Sequence, residues 1–157
     1  MGDVSDVTQD FAIEAWHEDG RWSIASLPNP DDLTHIIDRL KKQQTNGGSV
    51  AMIAIDDEFF LAIRVLGSQV KYFISDITCA IDYEVAAEFL EIADLDQPEE
   101  DDEPLPAGDL DIFADLGLQS MELSTICDDA DLFPDEQIEA IASRLGFGDG
   151  LAELLES

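Results

Sequence analysis

Residues Ser49 to Asp76 leave this chain few ways to fold. The stretch reads Ser-Val-Ala-Met-Ile-Ala-Ile-Asp, then Glu-Phe-Phe-Leu-Ala-Ile-Arg-Val-Leu, then Gln-Val-Lys-Tyr-Phe-Ile-Ser-Asp. Each piece has the length of a strand and is rich in β-branched and aromatic side chains, which suit a pleated surface. Turn residues bound the pieces. Asp56-Asp57 ends the first, and Gly67-Ser68 suits a two-residue hairpin between the second and third, with glycine supplying positive φ. Three consecutive antiparallel strands are predicted, and the rest of the chain should pack on their sheet.

Before this stretch, Phe11–His17 alternates, with Phe11, Ile13 and Ala15 on one face, and Arg21–Leu27 follows across Asp19-Gly20. That dipeptide is a strong hairpin signal, because a type I′ turn needs positive φ at both central positions. Asn29-Pro30-Asp31-Asp32 then announces a helix, with Asn29 as the expected cap, Pro30 in the first turn and two acids at the positive end of the dipole. Leu33, Ile36, Ile37 and Leu40 form one apolar stripe, and Asn46-Gly47-Gly48 is the expected stop. A second helix is predicted from near Asp82, burying Val85, Ala86, Phe89, Leu90 and Ala93. The order is β-β-α-β-β-β-α, an α+β arrangement of a five-stranded antiparallel sheet with helices on one face. It is similar to the element order of the roadblock, longin and profilin-like group, whose sheets serve mainly as interaction platforms.

Residues 96–106, Asp-Gln-Pro-Glu-Glu-Asp-Asp-Glu-Pro-Leu-Pro, repel one another and resist regular structure, which predicts an extended acidic linker. It divides the chain into a sheet domain over 8–95 and a small helical domain over 107–157. In the latter, Asp109 is expected to cap a helix Leu110–Leu116 stopped by Gly117. Ser120 is expected to cap Met121–Cys127. Pro134 should open Asp135–Leu145, with Ile138, Ile141, Ala142 and Leu145 inward and Gly146 as the stop. Leu151, Leu154 and Leu155 add a last turn. Three such helices are small for a core of their own, so they either dock on the sheet or close into a minimal bundle.

The formal net charge is −30, from 37 acids and 7 bases. Such a field repels phosphate backbones and anionic lipid, which disfavours direct nucleic-acid and membrane-surface binding and favours a basic protein partner. Solubility and growth in high salt are the alternative uses of the acidity. After Lys71 the one base is Arg144, so the C-terminal half is the more polyanionic. Cys79 and Cys127 lie far apart and in no metal-binding spacing. No N-terminal basic-then-apolar segment and no run of spanning length is apparent, so a reducing cytoplasm is the expected compartment. Exposed edge strands of such a sheet offer a route to a homodimer.

Few residues look like chemistry. His17 beside the hairpin turn is expected on an exposed strand, and His35 on the surface of the first helix. Trp16 and Trp22 flank the hairpin and are expected in core or cross-strand packing. Glu99, Glu100, Asp101, Asp102 and Glu103 are candidate contacts to a basic partner. As a calcium loop the run lacks the bending glycine, and Asp128-Asp129-Ala130-Asp131 lacks the glycine and terminal glutamate as well. No phosphate-binding glycine loop or nucleophile elbow occurs. No cofactor is expected on the main reading. Asp115-Leu116-Gly117-Leu118-Gln119-Ser120-Met121 resembles the phosphopantetheine attachment site of acyl carrier proteins, which would place the arm on Ser120. Gln119 stands where those proteins have an acid, and the competing reading of Ser120 is a helix cap.

Three stretches together resemble one family: Phe11-Ala-Ile-Glu-Ala-Trp-His-Glu-Asp-Gly-Arg-Trp, Asp57–Asp76, and Ala107-Gly-Asp-Leu-Asp-Ile-Phe-Ala-Asp-Leu-Gly-Leu running through Leu132-Phe-Pro-Asp-Glu to Arg144-Leu-Gly-Phe-Gly. These are the tRNA adenosine deaminase-associated proteins of actinobacteria. The resemblance supplies no catalytic residues. It implies no established activity; with the platform-like element order, the acidic C-terminal half and the missing catalytic constellation, the expectation is a non-catalytic accessory or regulatory protein that binds the tRNA adenosine deaminase or another basic tRNA-handling protein. The chain is not itself a zinc deaminase, since His17-Glu18-Asp19 and two isolated cysteines do not make a His-x-Glu with Pro-Cys-x-x-Cys.

Overall fold

A strand covered on one face alternates apolar and polar residues, whereas one covered on both reads as a continuous apolar run. The Ser49–Ile55 strand is buried at every position, and Phe59–Leu66 at every position but the last. The computed structural model describes residues 11–27, 29–30, 32–42, 48–56, 58–129 and 131–156. The polar start Met1–Asp10, Asp31, the Asn46-Gly47 stop, Asp57, Ala130 and the Leu155 side chain lie outside the described residues.

Six strands, β1 (Phe11–Glu18), β2 (Arg21–Leu27), β3 (Ser49–Ile55), β4 (Phe59–Leu66), β5 (Gln69–Ile74) and β6 (Ala107–Gly108), form one antiparallel sheet in the order β2-β1-β3-β4-β5-β6. The α+β class stands, but the expected five strands become six. The addition is a two-residue strand supplied from beyond the acidic segment, too short to leave a pattern in sequence. The helices are α1 (Leu33–Lys42), α2 (Glu84–Ala93), α3 (Ser120–Asp128), α4 (Pro134–Leu145) and α5 (Gly148–Glu156). None is long and apolar enough to cross a membrane, among the described residues. Since β2 and β3 both pair antiparallel with β1, they run the same way. A crossover must join them, and α1 provides it.

The helices lie on both faces of the sheet, not on one as expected. On the first face Ala51, Ile53, Ile55, Leu61 and Ile63 meet Ile36 and Leu40 of α1 and Phe89 and Leu90 of α2. On the second, Val50, Met52, Phe60, Ala62 and Phe73 meet Leu123, Ile138, Ile141 and Leu145. The C-terminal helices therefore dock on the sheet instead of closing into a bundle of their own.

Local signals explain most element ends. Asp19 (φ 54°) and Gly20 (φ 79°) make the expected hairpin turn. The α1 stripe Leu33, Ile36, Ile37 and Leu40 is buried. Its cap is Asp32, not Asn29: the Asp32 carboxylate accepts the His35 amide at 3.2 Å, one turn in, while Asn29 takes a left-handed φ of 55° before the helix. The acidic segment is not extended throughout. Asp102 donates its amide to the Glu99 carbonyl at 3.0 Å and returns its carboxylate to the Glu99 amide at 2.8 Å, closing a turn. Gln97 ties the segment to α2 through the Ala87 carbonyl, and Leu105 ties it to Ile77.

Candidate interaction surface

The second layer is held on the sheet by the Gly108-Asp109-Leu110-Asp111 stretch. Gly108 has φ 103°, and a Cβ built there would stand 2.3 Å from the Tyr72 carbonyl oxygen, so only glycine lets the two backbones come this close. Asp109 then binds the β5 backbone twice. Its amide donates to the Tyr72 carbonyl at 2.8 Å, and its carboxylate accepts the Tyr72 amide at 3.1 Å. This is why the expected helix Leu110–Leu116 is absent. The carboxylate that would have capped it is engaged by the sheet edge, and only a 3-10 turn, Ala114–Leu116, forms before Gly117.

Two more acids complete the anchor. Arg64 on β4 is buried on the covered face and donates to the Ile112 carbonyl at 3.0 Å and to both carboxylate oxygens of Asp115. The guanidinium holds the Asp115 carboxyl below its ordinary range, chiefly by hydrogen bonding. Lys71 lies 3.4 Å from Asp111. At the other side of the sheet, Trp22 Nε1 donates to the Leu145 carbonyl at 3.0 Å, and its ring packs against His17 and Phe147, each at 4.8 Å between centroids. His17 is therefore half-buried against Trp22, not an exposed strand residue, and Trp22 is a packing residue as expected. His35 is exposed.

Ser120 is exposed as the first residue of α3 and is not its cap. Gln119 takes the cap position, and the Glu122 carboxylate accepts its amide at 3.2 Å. The carrier-like appearance of this segment has a structural content of its own. Asp115 pairs with Arg64, Gly117 turns the chain with φ 109°, and Leu118 is buried in the second core.

Between α3 and α4 lies an open groove of about 650 Å³, lined by Leu118, Met121, Thr125, Ile126, Ala140 and Ser143, with the Glu122–Arg144 ion pair on its wall. Met121 is 81% exposed there. Sequence reasoning missed this groove. Its signal was an apolar Met121 set apart from Leu123, the residue that α3 buries. It also missed Arg64 as an anchor, since an arginine in an apolar strand does not name its partner.

Beyond the groove lining, the exposed charges of α3, α4 and the segment between them are mostly acidic. Arg144, the one base after Lys71, is occupied by Glu122 and by the Gly117 carbonyl at 3.3 Å. Asp128, Asp129 and Asp131 are exposed at and after the C-terminal end of α3, and Glu136 and Glu139 on α4. Glu99, Glu100, Asp101, Asp102 and Glu103 are all exposed on the turn described above. Glu99, Asp101 and Asp102 each place a carboxylate oxygen within 4.8 Å of the others, the one such set among the described residues, and all three face solvent.

The profile of the Rv3753c-like tRNA adenosine deaminase-associated proteins matches residues 10–148, from the start of β1 to the start of α5. The chain is similar to Protein Rv3753c of Mycobacterium tuberculosis (strain ATCC 25618 / H37Rv), with 34% identity over 159 residues covering 98% of this chain and 91% of that protein. No solved structure matches. The chain belongs to the Rv3753c-like tRNA adenosine deaminase-associated protein family.

Proposed function

We propose that this protein is a non-catalytic accessory protein that binds a basic protein, namely the tRNA adenosine deaminase for which the family is named, in the cytoplasm. The observation that carries the proposal is the charge of the second layer, where Asp128 and Asp129 at the end of α3 and Glu136 and Glu139 on α4 are exposed and the single base, Arg144, is already paired. An enzyme that takes tRNA presents cations to the phosphate backbone. An acidic protein complements that surface and competes with RNA for it. The acidic turn Glu99–Glu103 is a second point of contact in this reading. A decoy that titrates basic proteins without preference would share the charge but would select no one partner in a pull-down.

The test is co-elution of the purified protein and purified deaminase on a sizing column. A complex is expected at low salt, weakened at high salt as exposed charges are screened, and displaced by added tRNA. Separate elution at low salt overturns the proposal.

A further inference from the structure

We infer that the α3/α4 groove seats the apolar face of a short, basic amphipathic helix belonging to the partner protein. This deepens the reading above and rests on it.

Three observations lead there. First, the groove wall is apolar, and its most exposed member, Met121, is 81% accessible. A large unbranched apolar side chain left in water beside an apolar groove is the usual form of a helix-receiving surface, and methionine adapts to the side chains it meets. Second, the groove has a length to match. α3 spans nine residues, about 13 Å, so a helix lying along it presents anchors at i, i+3 or i+4, and i+7.

Third, the charge selects the occupant. Acids at a helix C-terminus add to the negative end of the dipole, which disfavours them unless cations are near. α3 ends in Asp128 and Asp129 with no base in its last turn. On α4, Glu136 and Glu139 are exposed acids, although the Glu136 carboxylate folds back to accept the Phe133 amide at 3.0 Å. The ion pair on the wall uses up the single local base. An anionic amphiphile such as a fatty acid would bring charge of the same sign. A helix with leucines on one face and lysines or arginines beside them brings the opposite sign.

The probe is a synthetic peptide of about sixteen residues, long enough to be helical on binding. It carries leucine at i, i+3, i+4 and i+7 and lysine and alanine elsewhere. A shuffled peptide of the same composition and a version with glutamate for lysine are the comparisons. Each is labelled and titrated with the full chain by fluorescence anisotropy at low salt. The patterned basic peptide is expected to bind about tenfold more tightly than the shuffled one, and Met121→Ser, which touches no buried contact, should weaken it about tenfold. Equal binding of the shuffled peptide, or no effect of Met121→Ser, overturns the groove while leaving the basic-partner reading standing. Equal binding of the glutamate version overturns the charge argument and so this inference. Failure of both basic peptides to bind overturns this inference, while the reading beneath it stands or falls by co-elution with the deaminase.

Discussion

Replacing Gly108 by alanine tests whether the Gly-Asp-Leu-Asp stretch holds the second layer on the sheet. The added Cβ would lie 2.3 Å from the Tyr72 carbonyl oxygen, a backbone atom that no side-chain rotation can move. Relief to an ordinary contact requires β6 to retreat by about 1 Å, which stretches both Asp109–Tyr72 hydrogen bonds, now 2.8 and 3.1 Å, beyond useful range. Each is worth about 1 kcal/mol net. The strain of φ 103° on a residue with a side chain, about 1–3 kcal/mol, adds to this. Gly117 separates the two contributions. Its φ is 109°, nearly the same, yet a Cβ there meets nothing within 4 Å. Gly117→Ala should therefore carry the backbone strain alone, and Gly108→Ala should exceed it by about 2 kcal/mol. In a domain of this size that difference is about 4–8 °C in Tm. Urea unfolding of the two variants, followed by circular dichroism, measures it. Equal losses would mean that the close approach of β6 to β5 contributes nothing, and the anchoring argument would fail.

Other outcomes follow from the same geometry. Asp115→Ala should cost about 1–2 kcal/mol, less than a fully buried pair because Asp115 is half exposed, and the double variant Arg64→Met/Asp115→Ala should be the more stable of the two. Because Arg64 lowers the Asp115 pKa, this contribution is present above the usual carboxylate range and is lost as pH falls through the lowered folded value, below about pH 4. Asp115→Asn should flatten that acid limb of a stability–pH curve. Trp22→Phe removes the donor to the Leu145 carbonyl and should cost about 1–2 kcal/mol in denaturant unfolding. Glu14 is fully buried on β1, one oxygen paired to the half-exposed Arg39 and the other without a partner, so Arg39→Met should destabilise more than Glu14→Met, by thermal melts at neutral pH. Burial raises both thiols to about 12, so Cys79 and Cys127 should resist alkylation at pH 8 until the protein is unfolded, as read by intact mass.

How far the sequence spoke depended on range. The continuous apolar runs of β3 and β4 announced strands, and the same continuity already meant two covered faces, although the helices after the acidic segment were not assigned to the second one. Asp19-Gly20, the α1 stripe and Pro134 to Gly146 were legible because each is fixed by neighbours within a few residues. The misses that shape the site involve distant partners, while the Asp32 and Gln119 caps and the Glu99–Asp102 turn were local misses. Asp109 reads as a helix cap until Tyr72 is seen to take it. Ala107-Gly108 has no strand pattern, because its register is set by β5 alone. Asp115 to Ser120 resembles a modification site because a turn that starts a helix after glycine and buries Leu118 needs similar residues. The groove was hidden for the same reason: Met121 looks like any helix residue until Ala140 and Ser143 stand opposite it.

The bond from Trp22 to the Leu145 carbonyl joins residues 123 positions apart, and it has a consequence for synthesis. While the ribosome is still making α4 and α5, the strands carrying Ile13, Met52, Phe60 and Phe73 have already emerged, with one side of their sheet uncovered. Contacts between such distant segments form late and slowly. A nascent or truncated chain ending before α4 should therefore be a client for chaperones, and aggregation is its fate if none arrives.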